Sequence, residues 1–474
     1  MRLSQDQIIS LLKAEPLVAP KDPTQVIESM VWDSRLVKKQ GAFLALPGEQ
    51  VDGNDYLGQA IEAEASLLIA SRQPDAEVIA AAASSGIGLV KVADSQWALG
   101  EIALYWRRLL PVRVVAVTGS SGKTSTKELV GAVLVRRYRT QSNPGNYNNL
   151  IGLPATILDC QTETELLVLE MGMQKHGEIT RYSEISQPEV AVFTNIGLAH
   201  LELLGSQDSI AEAKAELLWA LPDNMGVAVL NGDDPYSSYL LETSKARQRG
   251  IQVIYYGLDQ NNAVRAENVS FDINGCPEFD VLLSDGQRQT VKLQMPGEHN
   301  ISNALAAAAV GELFDVSPAD IKFALESSQP LALRQQTIDL PGGATILNDC
   351  YNANPGSMRA ALQALQIMDT NRPHIAVLGD MLELGDTEAD LHREIGEVAA
   401  GSGLSLLVTV GQRAKQTAAA ARACGMQAES VQKTDDWQEA VTILQSELYR
   451  NPIILVKASR SMALERIVEA LLEQ

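Results

Sequence analysis

The sequence has few basic residues and little cysteine. Lys and Arg number 38 against 59 Asp and Glu, which gives a formal net charge of −21 over 474 residues. A chain this acidic is a poor candidate for general nucleic-acid or anionic-membrane binding, because both partners are polyanions. The four cysteines lie far apart without a Cys-x-x-Cys pair. Neither a disulfide framework nor a zinc site is therefore expected.

Long apolar runs are missing as well. The N-terminal residues carry scattered charges and no apolar signal core. The longest uncharged, mostly apolar stretch, residues 398–412, is too short to cross a bilayer. We therefore expect a cytoplasmic protein that does not insert into a membrane. A hydrophobic content of 46% and a charged content of 20% are typical of a folded globular protein, and the length predicts two or three domains.

Strand and helix patterns alternate along the middle of the chain. Short β-branched runs are separated by helical stretches such as residues 123–137, which predicts βαβ units and a parallel sheet. The predicted buried strands are residues 113–118, 166–170, 190–194, 227–230 and 252–256. Residues 262–296 contain the turn signals Asn274-Gly275 and Asp285-Gly286, and they predict a small antiparallel insert.

A second alternating series predicts a separate doubly wound domain towards the C-terminus. Its strand patterns are residues 345–349, 374–380, 406–411 and 453–459, with helical stretches at residues 387–400 and 436–449. The N-terminal part forms a third unit, with turn signals at Pro47-Gly48 and Asp52-Gly53. We predict a three-domain α/β protein, with a small N-terminal α/β domain over 1–93, a central parallel-sheet P-loop domain over 94–326 and a C-terminal Rossmann-like domain over 327–474.

Residues 118–124, Thr-Gly-Ser-Ser-Gly-Lys-Thr, follow a predicted strand and open a predicted helix, as a phosphate-binding loop requires. Glycines let backbone N–H groups approach phosphate oxygens, and the helix N-terminus adds partial positive charge. Lys123 can reach the β- and γ-phosphates, and the Thr124 hydroxyl can bind Mg²⁺. Val117 stands where the common pattern has its first glycine, so the loop is a shorter variant. The candidate phosphate-binding residues are Gly119, Ser120, Ser121, Gly122, Lys123 and Thr124.

Three further residues can serve a bound nucleotide and its metal ion. Glu170 ends a predicted parallel strand, where α/β sheets bind ligands and a carboxylate suits Mg²⁺, or it is a solvated strand-end residue. His200 follows the predicted strand 190–194 and is a metal ligand, a base or a surface histidine. Lys214 lies on a helical stretch, where a solvent-facing lysine is the common case.

Two later polar segments can bind a nucleoside. Asn300 and Asn303 open an Ala-rich helix after a glycine turn. Their amides either cap that helix or hydrogen-bond an adenine edge, because an amide offers both donor and acceptor. Asp349 and Tyr351 follow a predicted strand. Asp349 can hold ribose hydroxyls and Tyr351 offers a flat face to a base, or the segment is a polar turn that ends at Pro355.

Taken together and in this order, the motifs resemble those of the Mur ligases. They are TGSSGKT (118–124), NYNNLIGLP (146–154), LEMGM (169–173), TNIGLAHLELLGS (194–206), AKAEL (213–217), PGEHNISNALAA (296–307), NDCYNANPGSM (348–358) and VLGDMLELG (377–385). Residues 33–56 are similar to the UDP-sugar-binding domain of that family, so the resemblance covers essentially the whole chain. YNANP and VLGDMLELG resemble the Mur ligase F branch, which joins D-alanyl-D-alanine to UDP-N-acetylmuramoyl-tripeptide.

The resemblance implies a role for each candidate residue. The implied catalytic residues are Lys123, Lys214, His200 and Arg334, with Arg334 at the γ-phosphate of ATP. The implied adenosine contacts are Asn300, Asn303, Asp349 and Tyr351. Two Mg²⁺ ions are implied, with Thr124 and Glu170 on one and His200 on the other. Lys214 matches a family lysine that becomes carbamylated, and CO₂ would convert this cation into a carboxylate-like metal ligand. The implied substrate contacts are Ser34, Arg35, Asp52 and Gly53 for the UDP-sugar, Asn149, and Lys457, Ser459 and Arg460 near the incoming peptide.

The implied reaction forms a peptide bond in two steps. The tripeptide carboxylate attacks the γ-phosphate of ATP to give an acyl phosphate, and the D-alanyl-D-alanine amine then displaces phosphate. The product is the pentapeptide precursor of peptidoglycan, and we expect a monomer that acts on small molecules. Two alternatives are a ligase that adds a single amino acid to a UDP-muramyl or folate-like acceptor, and a nucleotide-binding regulatory protein without ligase chemistry. The sequence leaves open whether the tripeptide ends in diaminopimelate or lysine.

Overall fold

The chain forms two compact units in the computed structural model, which describes residues 1–48 and 51–473. The first unit contains residues 1–116, 138–172 and 178–189, and the second contains residues 117–137, 173–177 and the chain from residue 190 onward. Glu49, Gln50 and Gln474, which fall within the predicted domains, lie outside the described residues. The predicted domain boundaries at residues 93 and 326 stay predictions.

Strands and helices alternate up to residue 189. The strands are β1 (Leu3–Ser4), β2 (Glu15–Val18), β3 (Val26–Ile27), β4 (Ser29–Val31), β5 (Gly41–Leu44), β6 (Leu67–Ala70), β7 (Gly88–Lys91), β8 (Arg113–Thr118), β9 (Thr140–Ser142) and β10 (Leu166–Glu170). The α-helices are α1 (Gln5–Leu12), α2 (Leu57–Glu62), α3 (Ala76–Ser85), α4 (Ser95–Leu109), α5 (Lys123–Leu134), α6 (Gly152–Leu158) and α7 (Glu178–Ser186). Of these, α5 belongs to the second unit, and the division falls within β8.

The first unit contains a sheet in the order β2-β7-β6-β5-β4. Strands β4 to β7 are parallel, and β2 pairs antiparallel with β7 at the edge. All four residues of β6 are buried, as expected for a parallel strand covered on both faces. Phe43, Leu68 and Leu89 of the sheet form a core with Leu57 and Ala82 from the helices. Strands β9 and β10 pair in parallel, and β10 ends at Glu170.

The alternation continues from residue 190. The strands are β11 (Val190–Phe193), β12 (Val227–Asn231), β13 (Gln252–Gly257), β14 (Val264–Phe271), β15 (Pro277–Leu282), β16 (Arg288–Lys292), β17 (Gln336–Asp339), β18 (Thr345–Asn348), β19 (His374–Gly379), β20 (Leu406–Val410), β21 (Val431–Thr434) and β22 (Ile453–Lys457). The α-helices are α8 (Leu201–Leu204), α9 (Gln207–Trp219), α10 (Tyr236–Ser244), α11 (His299–Leu313), α12 (Pro318–Ser327), α13 (Pro355–Ile367), α14 (Glu388–Gly401), α15 (Ala414–Ala423), α16 (Trp437–Gln445) and α17 (Glu465–Leu472).

In the second unit, β11 to β16 lie side by side in chain order. Strands β11 to β14 are parallel, and β14, β15 and β16 are antiparallel, which confirms the predicted antiparallel insert. Its turns contain Gly275 (φ +75°) and Gly286 (φ +87°), a backbone conformation that glycine adopts without strain. The Ala-rich helix α11 packs against α5 and against this sheet.

The C-terminal sheet has the order β17-β18-β22-β19-β20-β21. Strands β18 to β22 are parallel, and β17 is an antiparallel edge strand. Strands β18, β22 and β19 are neighbours in this sheet, so the loops that follow them begin at adjacent carboxyl ends. Doubly wound sheets bind ligands at such ends. Strands β17 and β21 were not predicted, because both are short edge strands rich in Gln, Thr, Asp and Lys. No helix within the described part of the chain is long and apolar enough to span a bilayer.

Candidate nucleotide and substrate sites

The phosphate-binding loop joins β8 to α5. Strand β8 ends at Thr118 and α5 begins at Lys123, as the sequence predicts. Gly119 (φ +150°) and Gly122 (φ +76°) have backbone conformations that other residues rarely adopt. Lys123 Nζ donates to the Gly119 carbonyl at 2.8 Å, so its ammonium group lies over the loop backbone.

Residues 194–197, directly after β11, hold this loop in place. The Ser121 N–H donates to Asn195 Oδ1 at 3.0 Å, and the Ser120 N–H donates to the Asn195 carbonyl at 2.9 Å. The Ser120 hydroxyl donates to the Gly197 carbonyl at 2.9 Å and accepts the Gly197 N–H at 2.8 Å. The loop conformation is therefore fixed by protein contacts before any phosphate binds.

Two glycines of the loop are required by close approach as well as by backbone conformation. A Cβ on Gly119 would lie 1.8 Å from Thr194 Oγ1. A Cβ on Gly122 would lie 2.6 Å from Asn303 Oδ1. Both distances are far shorter than van der Waals contact, so a side chain at either position would displace a residue that supports the loop.

Lys214 is buried on α9, with 1% of its surface exposed. This burial excludes the solvent-facing alternative. Desolvation lowers the pKa of Lys214 well below its ordinary value, and the positive charge of Lys123 lowers it further. The lowered pKa moves the equilibrium of Lys214 towards the neutral amine, which is the form that can react with CO₂.

His200 lies directly before α8 and is paired with a carboxylate. His200 Nδ1 lies 2.6 Å from Glu383 Oε2, and the histidine has a φ of +61°. The hydrogen bond from His200 lowers the pKa of the Glu383 carboxyl. This contact leaves Nε2 as the ring nitrogen of His200 that can bind a ligand.

Asn300 and Asn303 are buried in the first turn of α11 and bond to other side chains. The Thr126 hydroxyl donates to Asn303 Oδ1 at 3.1 Å, and Asn303 Nδ2 donates to Asn300 Oδ1 at 3.0 Å. Asn300 Nδ2 donates to the Pro296 carbonyl at 2.8 Å and to Gln335 Oε1 at 3.3 Å. Among the described residues, the Glu298 side chain does not cap the first turn of α11. These amides thus connect the P-loop helix α5 to the segment before β17.

Asp349 follows β18 and forms a buried ion pair with Lys457. Lys457 Nζ donates to Asp349 Oδ2 at 2.6 Å and to the Asn352 carbonyl at 2.9 Å. The Gln335 N–H donates to Asp349 Oδ1 at 3.3 Å. Lys457, a predicted substrate contact, here binds the carboxylate that was predicted to hold ribose hydroxyls. Its role as a substrate contact stays a prediction.

Arg334 stacks on the ring of Tyr351. The guanidinium carbon lies 3.8 Å from the ring centroid, within the range of a cation–π interaction. The Tyr351 N–H donates to the Leu333 carbonyl at 3.0 Å. The structure therefore brings together two predicted ATP contacts, one for the γ-phosphate and one for the base.

In the first unit, three hydrogen bonds from two asparagines fix Glu170. Asn143 is fully buried and bonds reciprocally with the Glu170 backbone, through its Oδ1 at 2.8 Å and its Nδ2 at 3.3 Å. Asn148 Nδ2 donates to Glu170 Oε1 at 2.7 Å. The other carboxylate oxygen, Oε2, is buried and has no hydrogen-bond partner among the residues that the structure describes. Glu170 is therefore not a solvated strand-end residue.

A cation fits the unpaired oxygen of Glu170. A buried carboxylate oxygen without a partner is costly, and Mg²⁺ prefers such oxygen ligands. In residues 1–48 and 51–473, no group of three or more His, Cys, Asp and Glu residues is arranged to hold a metal ion. A cation bound here would need other oxygens to complete its shell. Hydroxyl, phosphate and water oxygens meet this need for Mg²⁺ but not for zinc.

The predicted UDP-sugar contacts Ser34 and Arg35 lie on a short 3₁₀ turn of the first unit. The Ser34 hydroxyl donates to Gln59 Oε1 at 2.9 Å. Arg35 pairs with Asp33 at 2.6 Å, and this hydrogen bond lowers the pKa of Asp33 to about 2. The guanidinium is largely exposed, so it can exchange this partner for a phosphate.

Asp52 and Gly53 open a second 3₁₀ turn in the same unit. Asp52 Oδ1 accepts the Asn54 N–H at 2.9 Å, and its Oδ2 lies 3.1 Å from Arg72. A Cβ on Gly53 would lie 2.7 Å from the Leu46 carbonyl. These contacts give both residues a structural role, and their binding role stays a prediction.

The remaining predicted substrate residues also have partners within the chain. Asn149 Oδ1 accepts the Gly152 N–H at 2.8 Å, at the start of α6. Ser459 Oγ accepts the Leu382 N–H at 3.0 Å. Arg460 pairs with Glu465 at 2.7 Å and is half exposed. Asn149 and Arg460 are exposed, whereas Ser459 is buried.

Sequence reasoning missed the residues that position the predicted ones. They are Asn148 for Glu170, Asn195 for the phosphate-binding loop, Gln335 for Asn300 and Asp349, and Glu383 for His200. The motifs NYNNLIGLP, TNIG and VLGDMLELG contain three of them, but no local pattern distinguishes these three residues from the others in each motif. Gln335 lies outside every motif.

Three family models match the chain in order. The Mur ligase family catalytic domain matches residues 26–103, the Mur ligase middle domain residues 117–311, and the Mur ligase glutamate ligase domain residues 333–460. Together they cover most of the chain and support the predicted three-domain α/β organisation.

Full-length relatives support the same assignment. The UDP-N-acetylmuramoyl-tripeptide--D-alanyl-D-alanine ligase of Bacillus subtilis is 34% identical over 96% of both chains. The enzyme of the same name from Escherichia coli is 35% identical over 94% of both chains. A crystal structure of MurF from Acinetobacter baumannii superposes with a TM-score of 0.89 at 32% identity, covering 100% of this chain and 99% of the other. The chain therefore belongs to the Mur ligase family and is most similar to its Mur ligase F members.

Proposed function

We propose that this chain is an ATP-dependent ligase that joins D-alanyl-D-alanine to UDP-N-acetylmuramoyl-tripeptide. The observation that carries the proposal is the identity of 34% and 35%, over nearly the whole chain, to relatives that bear this name. The structure supports it with a preorganised phosphate-binding loop and a buried lysine of lowered pKa on the neighbouring helix α9. The product is the pentapeptide precursor of peptidoglycan.

The first step activates the tripeptide carboxylate. Its oxygen forms a bond to the γ-phosphorus of ATP, the bond from that phosphorus to the β–γ bridging oxygen breaks, and ADP leaves. Two anions must meet, so the protein has to offset their repulsion. Lys123 on the loop and Arg334 supply positive charge, and the stacking on Tyr351 restrains the Arg334 guanidinium.

Bound Mg²⁺ would neutralise phosphate charge and align the transferred phosphoryl group. We propose that Glu170 provides a carboxylate ligand through Oε2, its buried oxygen without a partner. Thr124, His200 and a carbamylated Lys214 are the proposed ligands in the second unit, and two ions are proposed in all. The lowered pKa of Lys214 supports the carbamate, because CO₂ adds to the neutral amine.

The second step forms the peptide bond. The D-alanyl-D-alanine amine attacks the acyl carbonyl carbon, the amine loses a proton, and the bond from carbon to the phosphate oxygen breaks, releasing phosphate. Positioning of the two reactants is the main requirement. Ser459 and Arg460 are the proposed contacts of the incoming dipeptide, and Arg460 suits its carboxylate because the guanidinium is accessible and forked.

The nucleotide and the UDP-sugar are proposed to use separate groups of residues. Asn300, Asn303, Asp349 and Tyr351 hold adenosine in the second unit. Ser34, Arg35, Asp52, Gly53 and Asn149 hold the UDP-sugar substrate in the first unit. We further propose a cytoplasmic monomer, since the substrates are small and water-soluble and the chain needs no second copy to supply a candidate residue.

Release of ADP in the presence of Mg²⁺ tests the proposed function. We expect rapid ADP release only when UDP-N-acetylmuramoyl-tripeptide and D-alanyl-D-alanine are both present. Both the diaminopimelate and the lysine tripeptide belong in the assay. Equal ADP release without D-alanyl-D-alanine would indicate a simple ATPase, and tight ATP binding without substrate-dependent release would indicate a regulatory protein.

A further inference from the structure

The loop of residues 380–385, which follows β19, connects His200 to the C-terminal sheet. At its centre Glu383 receives two contacts from the segment around α8. His200 Nδ1 lies 2.6 Å from Glu383 Oε2, and the Glu202 N–H donates to the Glu383 carbonyl at 3.1 Å. The side-chain and backbone bonds together fix both the position and the direction of the carboxylate.

The backbone at this contact is held in an uncommon conformation. His200 has a φ of +61° and Glu383 a φ of +62°, in the left-handed region that non-glycine residues seldom occupy. At Gly385 a Cβ would lie 3.2 Å from the Glu202 Cα, so a glycine permits the close approach of the loop. Such conformations persist where surrounding contacts determine them, and they concentrate at functional sites.

The C-terminal sheet supplies those surrounding contacts. The Met381 N–H donates to Nε2 of His392, which is buried on α14, at 3.0 Å. The Leu382 N–H donates to Ser459 Oγ at 3.0 Å, in the segment after β22. The two residues before Glu383 are thus held by their backbone amides, one bonded to helix α14 and the other to the segment after β22.

We propose that Glu383 is the positioning residue of His200, fixing its tautomer and ring orientation from the C-terminal sheet. An ionised carboxylate only accepts hydrogen bonds, so Nδ1 of His200 must carry the proton. When the ring carries one proton, Nε2 on its far side bears the lone pair. Carboxylates commonly orient ligating histidines in this way and raise their basicity.

The proposal depends on the proposed function in one respect, namely that His200 takes part in the ligation reaction. The contact itself is independent of substrate, so it can be tested in the protein alone. The chain has 5 histidines, and a His200→Gln variant identifies the His200 signals in a ¹⁵N-histidine NMR spectrum. The ¹⁵N shifts of the ring report which nitrogen is protonated.

Glu383→Gln is the decisive variant, because its amide has the same size and can donate to Nδ1. We expect His200 to be protonated on Nδ1 in the wild type and to shift towards the Nε2-protonated tautomer in Glu383→Gln. Glu202→Gln is the matched control, since it removes the same charge two residues from His200 on an exposed side chain. It should leave the tautomer unchanged.

Ligation kinetics provide the second readout. Loss of a residue that orients a metal ligand typically costs about 10- to 100-fold, so kcat for ligation should fall by that factor in Glu383→Gln while KM for the UDP-substrate stays within about twofold. Glu202→Gln should retain wild-type kcat. An unchanged His200 tautomer in Glu383→Gln would overturn the proposal. A shifted tautomer in a protein without ligase activity would refute the proposed function and leave the positioning role intact.

Discussion

Asn148 Nδ2 donates to Glu170 Oε1 at 2.7 Å, while Glu170 Oε2 is buried without a hydrogen-bond partner in the described part of the chain. The carboxylate is therefore held by one oxygen and is unsatisfied at the other. Because Asn143 also fixes the Glu170 backbone, the unsatisfied oxygen has a defined direction. A site that binds a cation needs this combination of a fixed carboxylate and an open coordination position.

Asn148→Ala should weaken Mg²⁺ binding without preventing folding. Loss of a residue that hydrogen-bonds a metal ligand, as Asn148 bonds Glu170, typically lowers metal affinity by about 10- to 100-fold. Titration of Mg²⁺ into protein and ATP, followed by calorimetry, measures the change. Asn146→Ala, which alters an exposed residue of the same segment, is the control and should bind Mg²⁺ as the wild type does. Unchanged Mg²⁺ affinity in Asn148→Ala would show that Asn148 does not position Glu170.

Lys214→Met should change the pH dependence of stability. The folded state lowers the Lys214 pKa, so between the folded and unfolded pKa values the unfolded chain binds more protons than the folded chain. The free energy of unfolding of the wild type therefore increases with pH. The increase ends when the lysine of the unfolded chain titrates, at a pKa of about 10.4. Without CO₂, we expect Lys214→Met to be more stable than the wild type at neutral pH, by a margin that shrinks as pH rises.

Urea unfolding in CO₂-free buffer between neutral pH and about pH 10 measures that margin. Lys433→Met, at an exposed position, is the control and should show no pH-dependent difference from the wild type. A margin for Lys214→Met that is constant or grows with pH would mean that Lys214 stays protonated in the folded protein, and the proposed carbamate would lose its basis.

Gly122→Ala should weaken ATP binding more than backbone strain alone explains. Gly122 and Gly205 have φ values of +76° and +78°, but only Gly122 would place its Cβ against a neighbour, Asn303 Oδ1. Both alanine variants should lose about 1–2 kcal/mol of stability through strain. Displacement of Asn303 also breaks its bond to Thr126, so Gly122→Ala should raise the Kd for ATP by about tenfold or more. Equal Kd values for the two variants would contradict this explanation.

Lys457→Met should destabilise the protein by about 3–5 kcal/mol, because it leaves Asp349 buried without its charged partner. Urea unfolding of the variant measures the loss. The double variant Asp349→Asn, Lys457→Met removes both charges and should recover part of it. The single variant Asp349→Asn completes the comparison. If the double variant loses as much free energy of unfolding as the two single variants together, Lys457 and Asp349 do not interact energetically.

The buried strands from residue 113 onward and the phosphate-binding loop could be predicted from sequence because local patterns determine them. The run at residues 113–118 is β8 to the residue, and the glycine spacing of the loop matches the close approaches at Gly119 and Gly122. Strand β21, with the sequence VQKT, could not be found in this way. An edge strand exposes one side to solvent and carries polar residues, so it lacks the apolar pattern of a buried strand.

The positioning contacts could not be predicted because they depend on the tertiary fold. His200 and Glu383 are 183 residues apart in sequence, and Lys457 and Asp349 are 108 apart. The order of β18, β22 and β19 brings the second pair together, and that order is not encoded in any local pattern. The burial of Lys214 could not be predicted either, because a helical stretch by itself does not show which of its faces is covered.

The most direct test of the proposed function is the formation of the ligated product from a panel of amine substrates. Purified protein with ATP, Mg²⁺ and UDP-N-acetylmuramoyl-tripeptide would be offered D-alanyl-D-alanine, single amino acids and other dipeptides, and products identified by mass spectrometry alongside ADP release. We predict a UDP-linked pentapeptide with D-alanyl-D-alanine, formed in equal amounts with ADP, and little product with single amino acids. Efficient ligation of a single amino acid, with none of D-alanyl-D-alanine, would contradict the proposed function.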